Sequence, residues 1–202
     1  ITPEAIREFI LSMGVTKTES EPTWDILESF NRKLIDPYAK RLHFVPDPVR
    51  LEVEDAPEVT ARIRFHPDRE LGFREVETKG VMYISGDDAA MLKEGEMFRL
   101  IELYNVKLTF KGEKVLKGSF TGLELIPGIP KLQWVGEKHL DFKVLIPGPL
   151  YVEGRFNPES LKTVSGFTEE AFGSLKTGEL IQLVRFGFCR IDAPGVAIFT
   201  HK

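Results

Sequence analysis

Arg185 lies inside Leu180–Asp192, the most apolar long run of this sequence. If the run is one strand, alternation places Arg185 on the same face as Ile181, Leu183 and Ile191. A guanidinium among such neighbours is costly unless it is paired or reaches an anion. No acidic residue occurs within four positions on either side of it. The sequence therefore predicts that either a distant carboxylate or a ligand meets Arg185.

Two other polar residues stand at positions where they could contact the same ligand. Gln182 lies three residues before Arg185, so strict alternation places the two on opposite faces unless a bulge or strong twist intervenes. Arg41 follows Lys40 where the helical part of the chain passes into the first predicted strand. A basic pair at such a junction is as often solvated surface as a binding element.

Arg99 stands near the start of a long predicted strand, Met97–Phe110. A structural ion pair with Glu75 or Glu102 is the commoner explanation for an arginine in this position. A binding role is the alternative, and the residues themselves leave both open.

Signatures of a self-contained active site are missing from the sequence. It contains no glycine-rich phosphate loop, no Gly-x-Ser-x-Gly, no Cys-x-x-Cys and no His-Glu-x-x-His. The four histidines lack metal-ligand spacing; they are His43, His66, His139 and His201. Cys189 is the single cysteine, sits in a run typical of a buried strand, and is predicted to be inert. We therefore expect a binding function, with no catalytic or metal site in this chain.

Charge and composition narrow the classes of partner. The 202 residues are 42% apolar, with no stretch approaching the roughly 20 apolar residues of a membrane helix. The formal net charge of -4 argues against a general polyanion binder, so neither a membrane nor DNA is an expected partner. Residues 1–60 hold 7 Lys/Arg against 12 Asp/Glu, whereas 61–202 hold 20 against 19. Any nucleic-acid surface should therefore be local and lie in the later part. The lone cysteine suits a reducing cytoplasm.

The periodicity of the chain changes from helical to extended near residue 40. A first helix should begin at Thr2-Pro3-Glu4 and end at Gly14, and a second should run from Trp24 to about Ile35. Short helical turns are expected at Asp87–Lys93 and Thr168–Leu175. Strands are predicted at Arg41–Val45, Val49–Val53, Thr60–Phe65, Gly80–Ile84, Met97–Phe110, Val115–Leu125, Lys131–Val135, Leu140–Ile146, Leu161–Val164, Leu180–Asp192 and Val196–Phe199. Many short strands without βαβ alternation indicate a mainly β protein of barrels or sandwiches.

Several segments, in order along nearly the whole chain, carry a resemblance. They are Ile1–Phe9, Gly14–Lys17, Asn31-Arg32, Ala39–Arg41, Asp47–Val49, Trp134-Val135, Phe156–Leu161 and Gln182–Asp192. Together they resemble the C-terminal part of class I glutamyl- and glutaminyl-tRNA synthetases of the archaeal and eukaryotic type. The strand from Arg185 to Asp192 is more similar to the archaeal glutamyl form.

The resemblance implies a helical connector followed by two closed β-barrels of about six strands each. The connector would be 1–37, the proximal barrel 38–126 plus 188–202, and the distal barrel 127–187. The catalytic signatures of the family are absent, and the chain begins at Ile1 rather than Met. On this reading it is an excised fragment that does not aminoacylate by itself.

The resemblance also assigns roles to the four polar residues. Arg41 matches an arginine that contacts the anticodon at the connector–barrel junction, and Gln182 and Arg185 match the pair that reads its central uridine. Arg99 matches an arginine near the first anticodon base. The glutaminyl enzyme has a second arginine two residues further on, where this chain has Ile101. Contacts to the third base are not assigned, and the candidates by charge alone are Lys107, Lys131 and Lys138.

The leading hypothesis is the anticodon-binding region of an archaeal-type glutamate–tRNA ligase. Its partner would be glutamate tRNA, with glutamine tRNA as a second substrate of a non-discriminating enzyme. The fragment would need no cofactor, whereas the parent enzyme would use ATP with magnesium. Two alternatives stay open. One is the same region of a glutaminyl enzyme; the other is a β-barrel protein-interaction module in which Arg185 pairs with a buried carboxylate.

Overall fold

The helices and strands follow the predicted change of periodicity. The computed structural model describes residues 1–14 and 22–202. In chain order the elements are α1 (Pro3–Met13), α2 (Trp24–Ile35), β1 (Lys40–Leu42), β2 (Phe44–Pro46), β3 (Val49–Glu54), β4 (Val59–Arg64), β5 (Phe73–Thr78), β6 (Val81–Ile84), α3 (Gly86–Met91), β7 (Met97–Leu100), β8 (Asn105–Lys111), β9 (Val115–Gly122), β10 (Lys131–Leu132), β11 (Val135–Gly136), β12 (His139–Pro147), β13 (Tyr151–Val152), β14 (Arg155–Phe156), β15 (Leu161–Glu169), a 3₁₀ helix (Glu170–Ser174), β16 (Leu180–Leu183), β17 (Gly187–Ala193) and β18 (Val196–His201).

Both predicted N-terminal helices are confirmed. The Thr2 hydroxyl caps α1 by accepting a hydrogen bond from the Ala5 amide at 3.2 Å, and Gly14 ends the helix with a positive φ of 63°. Asn31 of α2 accepts from the Thr2 amide at 2.8 Å, and its amide nitrogen lies 2.7 Å from His201 Nε2. The helical segment is therefore fastened to the last strand of the chain. Val15–Lys17, part of the resemblance, lie outside the described residues.

Most strands belong to two seven-stranded sheets. The first has the order β1-β16-β17-β18-β12-β15-β2, and the second the order β10-β7-β8-β9-β3-β6-β11. The mainly β prediction is confirmed, with one nearly closed seven-stranded barrel and one half-barrel. This refines the expected pair of closed barrels with about six strands each. No helix in the described ranges is long and apolar enough to cross a membrane.

Strand pairing crosses the predicted division of the chain. β17 and β18 share a sheet with β1 and β2. The same sheet, however, holds β12, β15 and β16 from the predicted distal segment 127–187. Conversely, β10 and β11 of that segment pair with β7 and β6 in the second sheet. The sheets thus exchange strands across the boundary at 126/127, because the pairings of β1, β10 and β11 join residues far apart in sequence.

Two predicted long strands are interrupted by turns. Met97–Phe110 divides into β7 and β8 around Glu102, whose φ is 55°. Leu180–Asp192 divides into β16 and β17. The hairpin strand β5 and the short pair β13 and β14 were not predicted. Their alternation is weakened by charged residues and turn residues, which leave little apolar periodicity to detect.

A buried ion pair links β5 to the end of β15. Arg74 donates to both carboxylate oxygens of Glu169, with Nη2···Oε1 at 2.8 Å, and both side chains are almost fully buried. Glu169 Oε1 also accepts from the His43 amide at 2.8 Å, between β1 and β2. Because buried charges need such full pairing, this network fixes the β4–β5 hairpin against the strand that carries Arg41.

Candidate nucleic-acid interface

Arg41 and Gln182 are brought directly opposite each other. β1 runs parallel to β16, and Arg41 and Gln182 are Cα partners in that pairing. The backbone amide of Arg41 donates to the Phe65 carbonyl at 2.6 Å, which ties β1 to the β4–β5 hairpin as well. Residues 141 positions apart in sequence thus become neighbours at the junction of the helical segment and the first sheet.

An aspartate from the connector orients the Arg41 guanidinium. Arg41 Nη2 donates to Asp36 Oδ1 at 3.0 Å, and about a third of each side chain is exposed. The other carboxylate oxygen, Oδ2, lies 3.7 Å from Nε2 of the buried His66. Asp36 therefore faces an arginine and a histidine from two different elements. No sequence pattern indicates this cluster, because Asp36 is the ordinary polar residue before a helix-ending proline.

Three polar atoms in this cluster are buried without a hydrogen-bond partner among the described residues. They are Arg41 Nε, Gln182 Oε1 and His66 Nε2. Such atoms are rare in folded proteins, because losing hydrogen bonds to water without replacement costs about 1–3 kcal/mol each. Arg41 Nε is a donor and Gln182 Oε1 an acceptor, and the two residues face each other. The pair is therefore complementary to a ligand edge that carries both an acceptor and a donor.

Arg185 does not lie in a strand, which corrects the prediction that it points into the face of Ile181 and Leu183. It occupies the three-residue turn between β16 and β17, with φ of 62°. Gly187 follows, also at positive φ, where a Cβ would collide with the backbone of His201. The turn was missed because an apolar run without Pro, Asn or Asp looks continuous. The twist expected between Gln182 and Arg185 is therefore supplied by a turn.

The predicted distant carboxylate partner of Arg185 is Asp88 of α3. Arg185 Nη1 donates to Asp88 Oδ2 at 2.9 Å; the arginine side chain is 49% exposed and the aspartate 5%. Asp88 is held by the Ser85 hydroxyl, which accepts from its amide at 3.2 Å. The contact joins a turn of the first sheet to the helix after β6 of the second. Half of Arg185 still faces solvent, so the ion pair leaves donors available.

Arg99 is a buried arginine that bonds mainly to carbonyl groups. Its Nη1 donates to Asn105 Oδ1 at 2.9 Å and to the carbonyls of Leu123 and Glu124 at 3.0 and 3.4 Å. The expected ion pair with Glu75 or Glu102 is not among the contacts of the described residues. Arg99 therefore holds the segment after β9 in place.

The three lysines that are candidates for contacting the third anticodon base have only their exposure to solvent in common. Lys107, Lys131 and Lys138 are all exposed, and Lys138 forms an ion pair with Glu77 at 3.3 Å. Lys131 is the Cα partner of Arg99. Among the described residues, none of these three lysines forms a hydrogen bond with Arg41 or Gln182.

Two titratable groups outside this cluster, His43 and Cys189, are enclosed and have shifted pKa values. Burial lowers the pKa of His43, which is fully enclosed and lies 2.9 Å through Nδ1 from the Trp134 carbonyl. Burial also raises the pKa of Cys189 to about 12, so its thiol stays protonated at neutral pH. Within residues 1–14 and 22–202, no group of three His, Cys, Asp or Glu side chains could hold a metal ion.

Comparison with known proteins gives consistent matches. The family described as tRNA synthetases class I (E and Q), anti-codon binding domain, matches residues 39–125 and 131–192. The chain is 41% identical to a glutamate–tRNA ligase of Nitrosopumilus maritimus over 203 residues, covering 100% of the chain and 36% of that protein. It is 42% identical to one of Pyrococcus abyssi over 213 residues, covering 100% and 35%. The chain thus spans about a third of the length of these relatives.

Proposed function

Because this chain belongs to the anticodon-binding family of class I tRNA synthetases for glutamate and glutamine, we propose that it binds glutamate tRNA and reads the central uridine of the anticodon. One observation carries the proposal. Arg41 and Gln182 are opposite each other on parallel strands, and each has a buried polar atom without a partner. Both atoms are enclosed, so the two side chains would turn outward for a base edge to satisfy them.

Uracil has the edge that this pair requires. It presents two carbonyl acceptors and one N–H donor. Arginine supplies only donors, whereas glutamine supplies a donor and an acceptor. Cytosine has an amino group where uracil has a carbonyl, so it would set a donor against a donor. Proteins read single-stranded loops by splaying bases out and bonding to such edges. The mismatch should cost about 1–3 kcal/mol.

Arg185 and Arg99 take different parts in the proposal. Arg185 is half exposed on the turn after Gln182, with Asp88 orienting one nitrogen and the rest of its guanidinium directed outward to the RNA. Arg99 acts near the first anticodon base by holding Leu123 and Glu124, because its Nη1 is already occupied by their carbonyls. Ile101 in place of a second arginine favours a glutamyl rather than a glutaminyl enzyme.

The activity of the whole protein follows as part of the proposal. The parent would activate glutamate with ATP and magnesium in a catalytic region outside this chain and transfer it to tRNA in the cytoplasm. Glutamine tRNA shares the central uridine, so the cluster by itself would accept it too. We therefore propose a non-discriminating enzyme.

Binding to two anticodon stem-loops tests the proposal. The first RNA carries the glutamate anticodon, and the second differs only by cytosine at the central position. We expect the 202-residue chain to bind the uridine RNA about 5- to 150-fold more tightly, which corresponds to about 1–3 kcal/mol. Equal affinity for both RNAs would remove the proposed reading of the central uridine by Gln182 and Arg185, and with it the part of Arg41. A chain that binds neither RNA would favour the interaction module, which the Arg185–Asp88 pair also fits.

A further inference from the structure

The β4–β5 hairpin is a separate two-stranded arm laid across both cores. Its strands pair with each other and, among the described residues, with no other strand. On the inner face, Ala61 and Ile63 are buried in the core of the second sheet. At the end of β4, Phe65 packs against the core of the first sheet instead. The inner face thus has a clear structural role, and the outer face is left exposed.

The outer face carries an arginine groove at the turn end of the arm, between β4 and β5. Arg62, Arg64 and Arg69 are all exposed, as is Phe73. With neighbouring turn residues they line a groove of about 540 Å³. Three arginines and one aromatic ring thus share a single groove.

The Arg62 side chain lines the groove although a carboxylate stands opposite it across the hairpin. Its Cα partner across the hairpin is Glu75, and opposite charges at such a pair usually interact. Its guanidinium carbon instead lies 3.4 Å from the centroid of the Phe73 ring. Neither Arg62 nor Arg69 forms an ion pair with any described residue. Stacking therefore preorganises one guanidinium and leaves its N–H groups free.

The charge of the groove limits what it can hold. Asp68 and Glu70 also line it, so three arginines and two acids give a net formal charge of +1. That balance suits one phosphate rather than an extended polyanion. Guanidinium groups match phosphate oxygens with two parallel hydrogen bonds, and their planes also stack on bases.

We propose that the groove of Arg62, Arg64 and Arg69 binds a phosphodiester of a single-stranded RNA segment. This rests on the proposed function, because the RNA would be the strand that enters the Arg41 cluster. The arm is attached there directly: Phe65, which follows β4 at the same end of the arm as the groove, accepts through its carbonyl from the Arg41 amide at 2.6 Å and donates its own amide to the Gly72 carbonyl at 3.0 Å. An RNA strand that contacts Arg41 would therefore pass close to the groove.

The salt dependence of binding separates this site from base reading. The two stem-loop RNAs are titrated with the parent chain, with Arg62→Gln, with Arg69→Gln and with Arg155→Gln as a matched control. Arg155 is an exposed arginine on β14 and does not line the groove. Thermal unfolding of each variant checks that the fold is intact. The plot of log affinity against log salt gives the number of phosphate contacts, at about 0.7 per contact for a single strand.

We expect each groove variant to reduce that slope, by at most about 0.7 because the groove holds one phosphate, and to weaken binding to both RNAs equally, with the uridine preference unchanged. If the groove variants have the same slopes as the parent chain and Arg155→Gln, the proposal of a phosphate site in the groove is wrong. If the slope falls but the chain binds the uridine and cytosine RNAs equally, the phosphate site is supported and the proposed reading of the central base is wrong. Absence of binding by the parent chain overturns both.

Discussion

Arg185 and Asp88, 97 positions apart, form an ion pair of 2.9 Å between a turn of the first sheet and the helix α3. The aspartate is nearly buried and the arginine half exposed. Such asymmetry means that loss of the arginine leaves a buried carboxylate without its partner, whereas the half-exposed arginine can be solvated when the aspartate is replaced. The pair also gives Asp88 a way to influence the proposed RNA binding without contacting RNA.

Replacing these two residues should reveal that coupling. Arg185→Ala leaves a buried carboxylate unpaired, and we expect the free energy of unfolding to fall by about 1 kcal/mol, with RNA binding weakened. Asp88→Asn should weaken RNA binding less. A double-mutant cycle by urea unfolding and RNA titration measures the interaction. If Asp88 acts through Arg185, the effect of Asp88→Asn on binding disappears in the Arg185→Ala background; an unchanged effect means that Asp88 acts through the fold alone.

Gln182→Met should separate stability from recognition. Methionine has a similar volume but removes the buried Oε1 that lacks a partner, so the free energy of unfolding should stay the same or rise by up to about 1 kcal/mol. The preference for uridine over cytosine should fall toward unity, because the acceptor for the uracil N–H is lost. Urea unfolding and stem-loop titration measure the two effects. A destabilised variant with intact preference contradicts the assignment.

Arg99→Met should act mainly on the fold. It removes the guanidinium donor to the Leu123 and Leu103 carbonyls and to Asn105 Oδ1, whereas the Glu124 carbonyl keeps the Asn105 amide as a donor at 2.7 Å. We expect a loss of about 2–4 kcal/mol in unfolding free energy, because several buried acceptors lose their hydrogen bonds at once. Arg99→Lys should recover only part, since one ammonium cannot reach all three acceptors. Full stability of Arg99→Met would mean that these contacts contribute little.

Stability should decrease in mild acid because of two histidines. Burial lowers the folded-state pKa of His43 and His201 below the ordinary value of 6.5. Below that pH the unfolded chain binds protons that the folded chain does not, so stability is full above about 6.5 and is lost as pH falls toward the folded pKa values. Each histidine contributes at most about 1.4 kcal/mol per pH unit. Urea unfolding between pH 7.5 and 5 measures the slope, and His201→Gln should reduce it. A flat profile contradicts the prediction.

The sequence pattern was enough to predict the elements whose formation depends on residues close together in the chain. The cap at Thr2, the stop at Gly14 and the apolar spacing of α2 predicted both helices, since capping and helical periodicity act over a few residues. The strand β3 was predicted almost to its ends for the same reason. The turn at Arg185 was missed, because the residues that favour it are not distinctive until the β16–β17 hairpin is formed.

The sequence by itself determined the class of this protein: a mainly β chain, without catalytic motifs, whose ordered segments resemble an anticodon-binding region. It also pointed to Arg185 as a residue in need of a partner. Tertiary structure alone decided that this partner is Asp88, that Arg41 faces Gln182, and that Arg99 is enclosed by carbonyls. The first two contacts join residues 97 and 141 positions apart, and the third depends on the path of the chain after β9; local periodicity encodes none of them.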